Sequence, residues 1–182
     1  VRGEQLVPAT GKTLLGRIAN ARGLLTDREI GPGDTVVLIG PNRIGWVAAD
    51  LALLAQGAVV VPMYDRQDPR ELVAMMNDCA PKLVLVASDE LVTSIRELWE
   101  DAPLATWREA FDHAPSHAPR YARKSDEAVT VVYTSGTSGE PKGVVNTREN
   151  VDYMLPITAS ALRAMMGARD EDDRVFHYLP LC

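Results

Sequence analysis

Two cysteines, Cys79 and Cys182, are all that the 182 residues contain, and their spacing matches neither a disulfide framework nor a thiolate metal site. Both read as packing residues in a reducing compartment. Long apolar runs are missing too: none approaches the roughly 18 uninterrupted residues of a membrane span, and no basic segment leading into an apolar one opens the sequence. No membrane span and a cytoplasmic location are the expectations. Positive charge is in deficit, with a formal net charge of −6 and a pI of about 5.1. Proteins that neutralise nucleic-acid phosphates normally display a basic stripe, so no nucleic-acid partner is expected. No internal repeat or low-complexity tract is present.

What the sequence does hold, 46% hydrophobic and 24% charged residues, is enough to bury one good core. Helix and strand signals alternate as they do in an α/β fold, a mostly parallel sheet with helices on both faces. Residues 13–25 carry Leu14, Leu15, Ile18, Ala21 and Leu25 near one helical face. Residues 35–39, 59–63 and 83–86 read as short buried strands. Residues 46–56 form an apolar helix that Gly57 stops, Pro69 opens a helix ending before Pro81, and Ser88 caps one over 90–99. Trp46, Met75, Met76 and Trp99 are assigned to core packing.

Residues 114–123, rich in Pro, His, Ser and Arg, read as an irregular surface connection. His113 and His117 stand four apart, but Pro115 breaks the helical geometry and no carboxylate or cysteine completes a metal site. A helix is expected over 150–166 despite Pro156 near its first turns, with Leu155, Ala159, Leu162 and Met166 on a related face. An acidic turn at 168–173 and a strand at 174–179, carrying His177 and Tyr178, follow.

One segment has a composition that describes chemistry. Tyr133-Thr134-Ser135-Gly136-Thr137-Ser138-Gly139-Glu140-Pro141-Lys142-Gly143 places hydroxyls at Thr134, Ser135, Thr137 and Ser138. Its glycines let backbone N–H groups turn inward toward an anion, and Lys142 adds positive charge. Composition alone leaves two readings open, a solvated hairpin loop and a phosphate-holding loop. The strand-like 128–133 before it, Val144-Val145 after it and a helix beginning near Asn150 hold the loop at both ends and favour the second. It is not a Walker A loop, because Pro141 precedes the lysine and Gly143 follows it. Gly11-Lys12-Thr13 fails that pattern as well, with Leu6 where the first glycine belongs. Residues 40–45 lack a phosphate-binding lysine and read as a strand-to-helix turn.

Residues 133–143 resemble the phosphate-binding signature of the adenylate-forming enzymes, a superfamily of acyl-CoA synthetases, peptide-synthetase adenylation domains and firefly-type luciferases. The similarity runs back through 33–39, 42–52 and 57–64, covering most of the chain and weakening before about residue 10 and between 100 and 125. The pattern Asn-Arg-x-x-Trp-Val-x-Ala-Asp-Leu-Ala from Asn42 to Ala52, and the closing residues 173–182, resemble the acyl-CoA synthetases, the long-chain fatty acid type in particular. Ser138 stands where threonine is more usual. Arg148 stands where the family often has histidine, and no role is carried over to it.

The resemblance implies a two-step ligase that joins an acid to CoA at the expense of ATP. Thr134, Ser135, Gly136, Thr137, Ser138, Gly139 and Lys142 would hold the ATP phosphates, with magnesium sharing the charge; ATP, a fatty acid and CoA would be the small-molecule substrates. The family's magnesium-binding glutamate, ribose-binding aspartate, acyl pocket and catalytic lysine fall downstream of Cys182. Residues 1–182 are therefore expected to form a single α/β unit, the N-terminal part of an AMP-binding domain, with no catalytic residue and no activity alone. The alternatives are a free-standing nucleotide- or anion-binding module without catalysis, and the adenylation domain of a peptide synthetase. An apolar face left uncovered in such a unit favours self-association.

Overall fold

The β-branched runs at 35–39, 59–63 and 83–86 become β1 (Thr35–Ile39), β2 (Val59–Met63) and β3 (Leu83–Val86) in a computed structural model that describes residues 8–135 and 141–166. Around them lie α1 (Gly11–Asp27), α2 (Ile44–Gln56), α3 (Pro69–Cys79) and α4 (Asp89–Leu98). Then come β4 (Leu104–Thr106), α5 (Trp107–Asp112), β5 (Ala128–Ser135), β6 (Pro141–Thr147) and α6 (Arg148–Met166). The sheet order is β4-β3-β1-β2-β5-β6. Pairing is parallel up to β5, and β6 closes the edge antiparallel to β5.

Helices cover both faces of this sheet, which is why its central strands lack a polar side. Alternate residues of β1 enter opposite cores. Val36 and Leu38 join Leu24, Leu25 and Leu53 on one face, while Val37 and Ile39 join Leu72, Met76 and Ile95 on the other. Trp46, Met75 and Met76 are buried as expected, and Trp99 and Cys79 pack partly buried against the second core.

Helix ends follow the local chemistry. The Thr10 hydroxyl accepts from the Thr13 N–H at 3.1 Å, so Gly11-Lys12-Thr13 is the capped first turn of α1 rather than a nucleotide loop. Gly57 ends α2 in the left-handed region at φ 89°; a side chain there would also meet the Tyr121 ring at 2.8 Å. Asp68 caps α3 ahead of Pro69, and the Ser88 hydroxyl accepts from the Leu91 N–H at 3.2 Å. The turn at 40–43 leads from β1 into α2, as its sequence indicates.

The irregular connection after α5 has a demanding route, because β4 lies at one edge of the sheet and β5 lies beyond β2. It crosses the α1–α2 layer and is tied down on the way. Buried Arg22 donates to the carbonyls of Ala118 at 2.7 Å and Pro119 at 3.1 Å, and the Tyr121 N–H donates to the Ala55 carbonyl at 2.8 Å. His113 leaves this segment to meet Asp27 at 3.2 Å. No group of three His, Cys, Asp or Glu that could hold a metal ion occurs among the described residues.

One expectation needs correction. Pro156 lies well inside the 19-residue α6 rather than near its first turns, because the helix begins at Arg148; Thr147 and Asn150 bond reciprocally across that start. The shared face of α6 is open: Leu155 is 56% and Leu162 51% exposed. Val144 and Val145 of β6 are exposed with them. The side chain of Met166, the expected turn at 168–173, the strand at 174–179 with His177 and Tyr178, and Cys182 lie outside the described residues. No helix among the described residues is long and apolar enough to cross a membrane.

Asp50 carries a pH dependence. It is a half-buried carboxylate on α2, and burial pushes its pKa up to about 6. The folded chain takes up this proton before the unfolded chain does. Its contribution to stability is therefore greatest below about pH 4 and is lost as the pH rises through about 6. Asp50→Asn should raise stability at pH 8 by up to roughly 3 kcal/mol and by much less at pH 4. Urea midpoints at the two pH values check this; a variant no more stable than the wild type at pH 8 contradicts it.

Candidate phosphate-binding site

The glycine- and hydroxyl-rich segment joins β5 to β6, an antiparallel pair. β5 and β6 pair in register from Thr130↔Asn146 through Thr134↔Lys142 to Ser135↔Pro141. Cross-strand partners in an antiparallel ladder project to the same face, which places the Thr134 hydroxyl and the Lys142 ammonium side by side at the mouth of the loop. Both residues are exposed. Of the expected phosphate-binding residues, Thr134 and Lys142 and the backbone of Ser135 are described; Gly136, Thr137, Ser138 and Gly139 lie outside the described residues.

The position of the hairpin matters as much as its composition. β5 pairs with β2 in parallel at Val60↔Thr130, where the Thr130 hydroxyl also donates to the Val60 carbonyl at 2.8 Å. Registered pairing is confined to that point, and Pro62 brings no N–H to extend a ladder there. From the end of β2 the chain enters α3 and returns to β3, on the far side of β1; from the end of β5 it turns outward into β6. Divergence of this kind opens a crevice at the carboxyl ends of parallel strands, where open α/β sheets bind ligands.

A cleft of about 440 Å³ occupies that crevice. Pro62, Met63 and Tyr64 line one side, Val132, Tyr133 and Thr134 the other, and Gln67, Glu71 and Met75 form the flank toward α3. Tyr133 donates to the Asp78 carboxylate at 2.5 Å and to the Met75 carbonyl at 3.3 Å. Burial, then the Asp78 hydrogen bond, holds its phenol well above the ordinary range. Burial likewise raises the neighbouring Cys79 thiol.

Sequence reasoning singled out the loop and not the wall facing it. Tyr64, Gln67 and Glu71 carry no motif, but they follow directly on a strand expected in a parallel sheet, and that position marks residues near a carboxyl-end ligand site. The hydroxyls and the lysine fit a polyphosphate anion. The described residues hold no cluster able to bind magnesium unaided.

The AMP-binding enzyme family model matches residues 10–182. The PKS-NRPS hybrid synthetase acdB of Aspergillus candidus is 33% identical over 136 residues, 72% of this chain and 5% of its own length. Long-chain-fatty-acid–CoA ligase FadD15 of Mycobacterium tuberculosis is 29% identical over 167 residues, 82% of this chain and 27% of its own. A solved Mycobacterium tuberculosis fatty acyl CoA synthetase superposes with a TM-score of 0.71 at 25% identity, over 85% of this chain and 32% of its own. The chain thus spans about a quarter of the length of the ligase and about a third of the solved synthetase. With its loop, its sheet order and this match in agreement, the chain belongs to the AMP-binding, adenylate-forming enzyme family.

Proposed function

We propose that the chain supplies the pyrophosphate-holding part of an ATP-dependent acid–CoA ligase, acting on long-chain fatty acids. The observation that carries this reading is the hydroxyl- and glycine-rich loop with Lys142, presented at the carboxyl ends of β2 and β5. In the first step a carboxylate oxygen bonds to the α-phosphorus of ATP. The bond from that phosphorus to the bridging oxygen breaks, and pyrophosphate leaves with the electron pair. In the second step the sulfur of CoA bonds to the acyl carbon and AMP departs.

The residues of this chain act on the leaving group. Thr134, Lys142 and the loop N–H groups orient the β and γ phosphates and offset the charge that grows as pyrophosphate departs. Magnesium, when bound, neutralises part of the same charge. The fatty acid preference is supported by the pattern from Asn42 to Ala52 and by the ligase relative. Activation of an amino acid is the second reading, supported by the hybrid synthetase relative. Acid-dependent ATP–pyrophosphate exchange by a longer polypeptide carrying this segment separates the two.

For the chain itself, titration calorimetry should show ATP and pyrophosphate binding in the micromolar range and AMP binding at least about tenfold more weakly, because the loop grips the outer phosphates. No AMP should form when fatty acid and CoA are added. Tight binding of AMP alone, or turnover by the pure chain, contradicts this division of labour.

A further inference from the structure

We propose that Tyr133 is a positioning residue that fixes the base of the phosphate loop, through a brace running from β5 across Gly143 to the carboxyl end of α3. The inference deepens the reading of the loop as a pyrophosphate holder and rests on it.

Val131 and Tyr133 pack against the second core, and the hydrogen bonds that tie the hairpin to its surroundings are unevenly placed along it. The ladder between β2 and β5 is confined to Val60↔Thr130. Arg123 secures the start of β5, donating to the Ala128 carbonyl and to the Ala58 carbonyl at 2.9 Å. The Arg148 N–H secures the end of β6 to the Glu127 carbonyl at 3.0 Å. All of these ties lie at the end remote from the loop. Toward the loop, the side-chain hydrogen bonds that join the hairpin to the rest of the fold, among the described residues, are the two from Tyr133 to Asp78 and Met75.

Gly143 lies beside the ring on β6. It is the cross-strand partner of Tyr133, so any side chain there would share the tyrosine's face. A Cβ at this position would lie 2.8 Å from Val131 Cγ1 and 3.4 Å from Tyr133 Cζ. The close approach is to Val131; the tyrosine ring lies at ordinary van der Waals distance from that position. Tyr133 sits one residue from the hydroxyl of Thr134. Thr134 and Lys142 held in place beforehand lose less freedom when an anion binds them.

The test compares pyrophosphate titration of the wild-type chain with four variants. Tyr133→Phe keeps the ring and loses both hydrogen bonds, and it should bind about fivefold more weakly, as should Asp78→Ala. Asp78→Asn keeps an acceptor oxygen and should stay within about twofold of the wild type. Tyr133→Phe combined with Asp78→Ala should be no weaker than Tyr133→Phe alone, because the Asp78 hydrogen bond is already lost with the hydroxyl. A Tyr133→Phe chain that binds like the wild type overturns the brace. Failure of the wild type to bind pyrophosphate overturns the loop reading instead, and amide hydrogen exchange then decides the brace independently. In Tyr133→Phe, exchange at Thr134, Ser135 and Lys142 should quicken by about tenfold while β1 and β3 stay unchanged; unaltered exchange at the loop end refutes it.

Discussion

Trp107→Ala should cost about 4 kcal/mol, enough to leave a domain of this size close to unfolded. Trp107 is 8% exposed and begins α5, where its ring meets Phe111 edge-on at 6.1 Å. The indole also fills a slot that two glycines leave open: a Cβ at Gly45 would fall 2.8 Å from the ring, and one at Gly40 would overlap it. Truncation therefore empties a space that backbone bounds on two sides and cannot easily collapse into. Trp107→Phe should lose far less, about 1 kcal/mol, because the buried indole N–H has no partner among the described residues and its removal offsets part of the lost volume. Urea unfolding followed by circular dichroism measures both. An alanine variant within about 1 kcal/mol of the wild type would show that the slot closes around the cavity.

That slot was not legible in the sequence, for reasons that differ from element to element. β1, β2 and β3 announce themselves as continuous β-branched runs because both their faces are covered, and their bounds were read from the chain without error. β4 is three residues long, too short for any periodicity. α5 is six residues long, but it did carry a local signature. Thr106 and Glu109 form a capping box, with the Thr106 N–H donating to the Glu109 carboxylate at 2.5 Å and the Glu109 N–H donating to Thr106 Oγ1 at 3.1 Å. The T-x-x-E spacing was available to a reader who looked for it.

The site divides in the same way. The loop is a contiguous segment with unusual composition, so its chemistry is visible in one dimension. The opposite wall and the Tyr133 brace depend on where the β2–β5 ladder stops, and a register between residues seventy positions apart leaves no local trace. α6 shows the reverse case. Its apolar spacing was readable, yet nothing described covers that face, so the pattern alone could not say whether it would be buried.

Lys142 carries the second large effect. It stands opposite Thr134 on an exposed edge strand, held there by β5 rather than by a partner charge of its own ladder. An ammonium donating to a phosphate oxygen makes a charge-assisted hydrogen bond, stronger than the neutral bonds from the loop hydroxyls. Lys142→Ala should therefore weaken pyrophosphate binding by about thirtyfold while leaving the fold intact, since an exposed edge residue away from the cores contributes little to stability. Lys142→Arg should recover part of the affinity, as the charge remains but its fork geometry differs from a point charge. The difference between wild type and the alanine variant should shrink as salt is raised.

The most direct measurement is calorimetric titration of pyrophosphate into the wild-type chain and into Lys142→Ala at one ionic strength. Micromolar binding that falls by about thirtyfold in the variant is the result expected of a loop that grips the leaving phosphates. Equal binding by both chains, or none by the wild type, would contradict it.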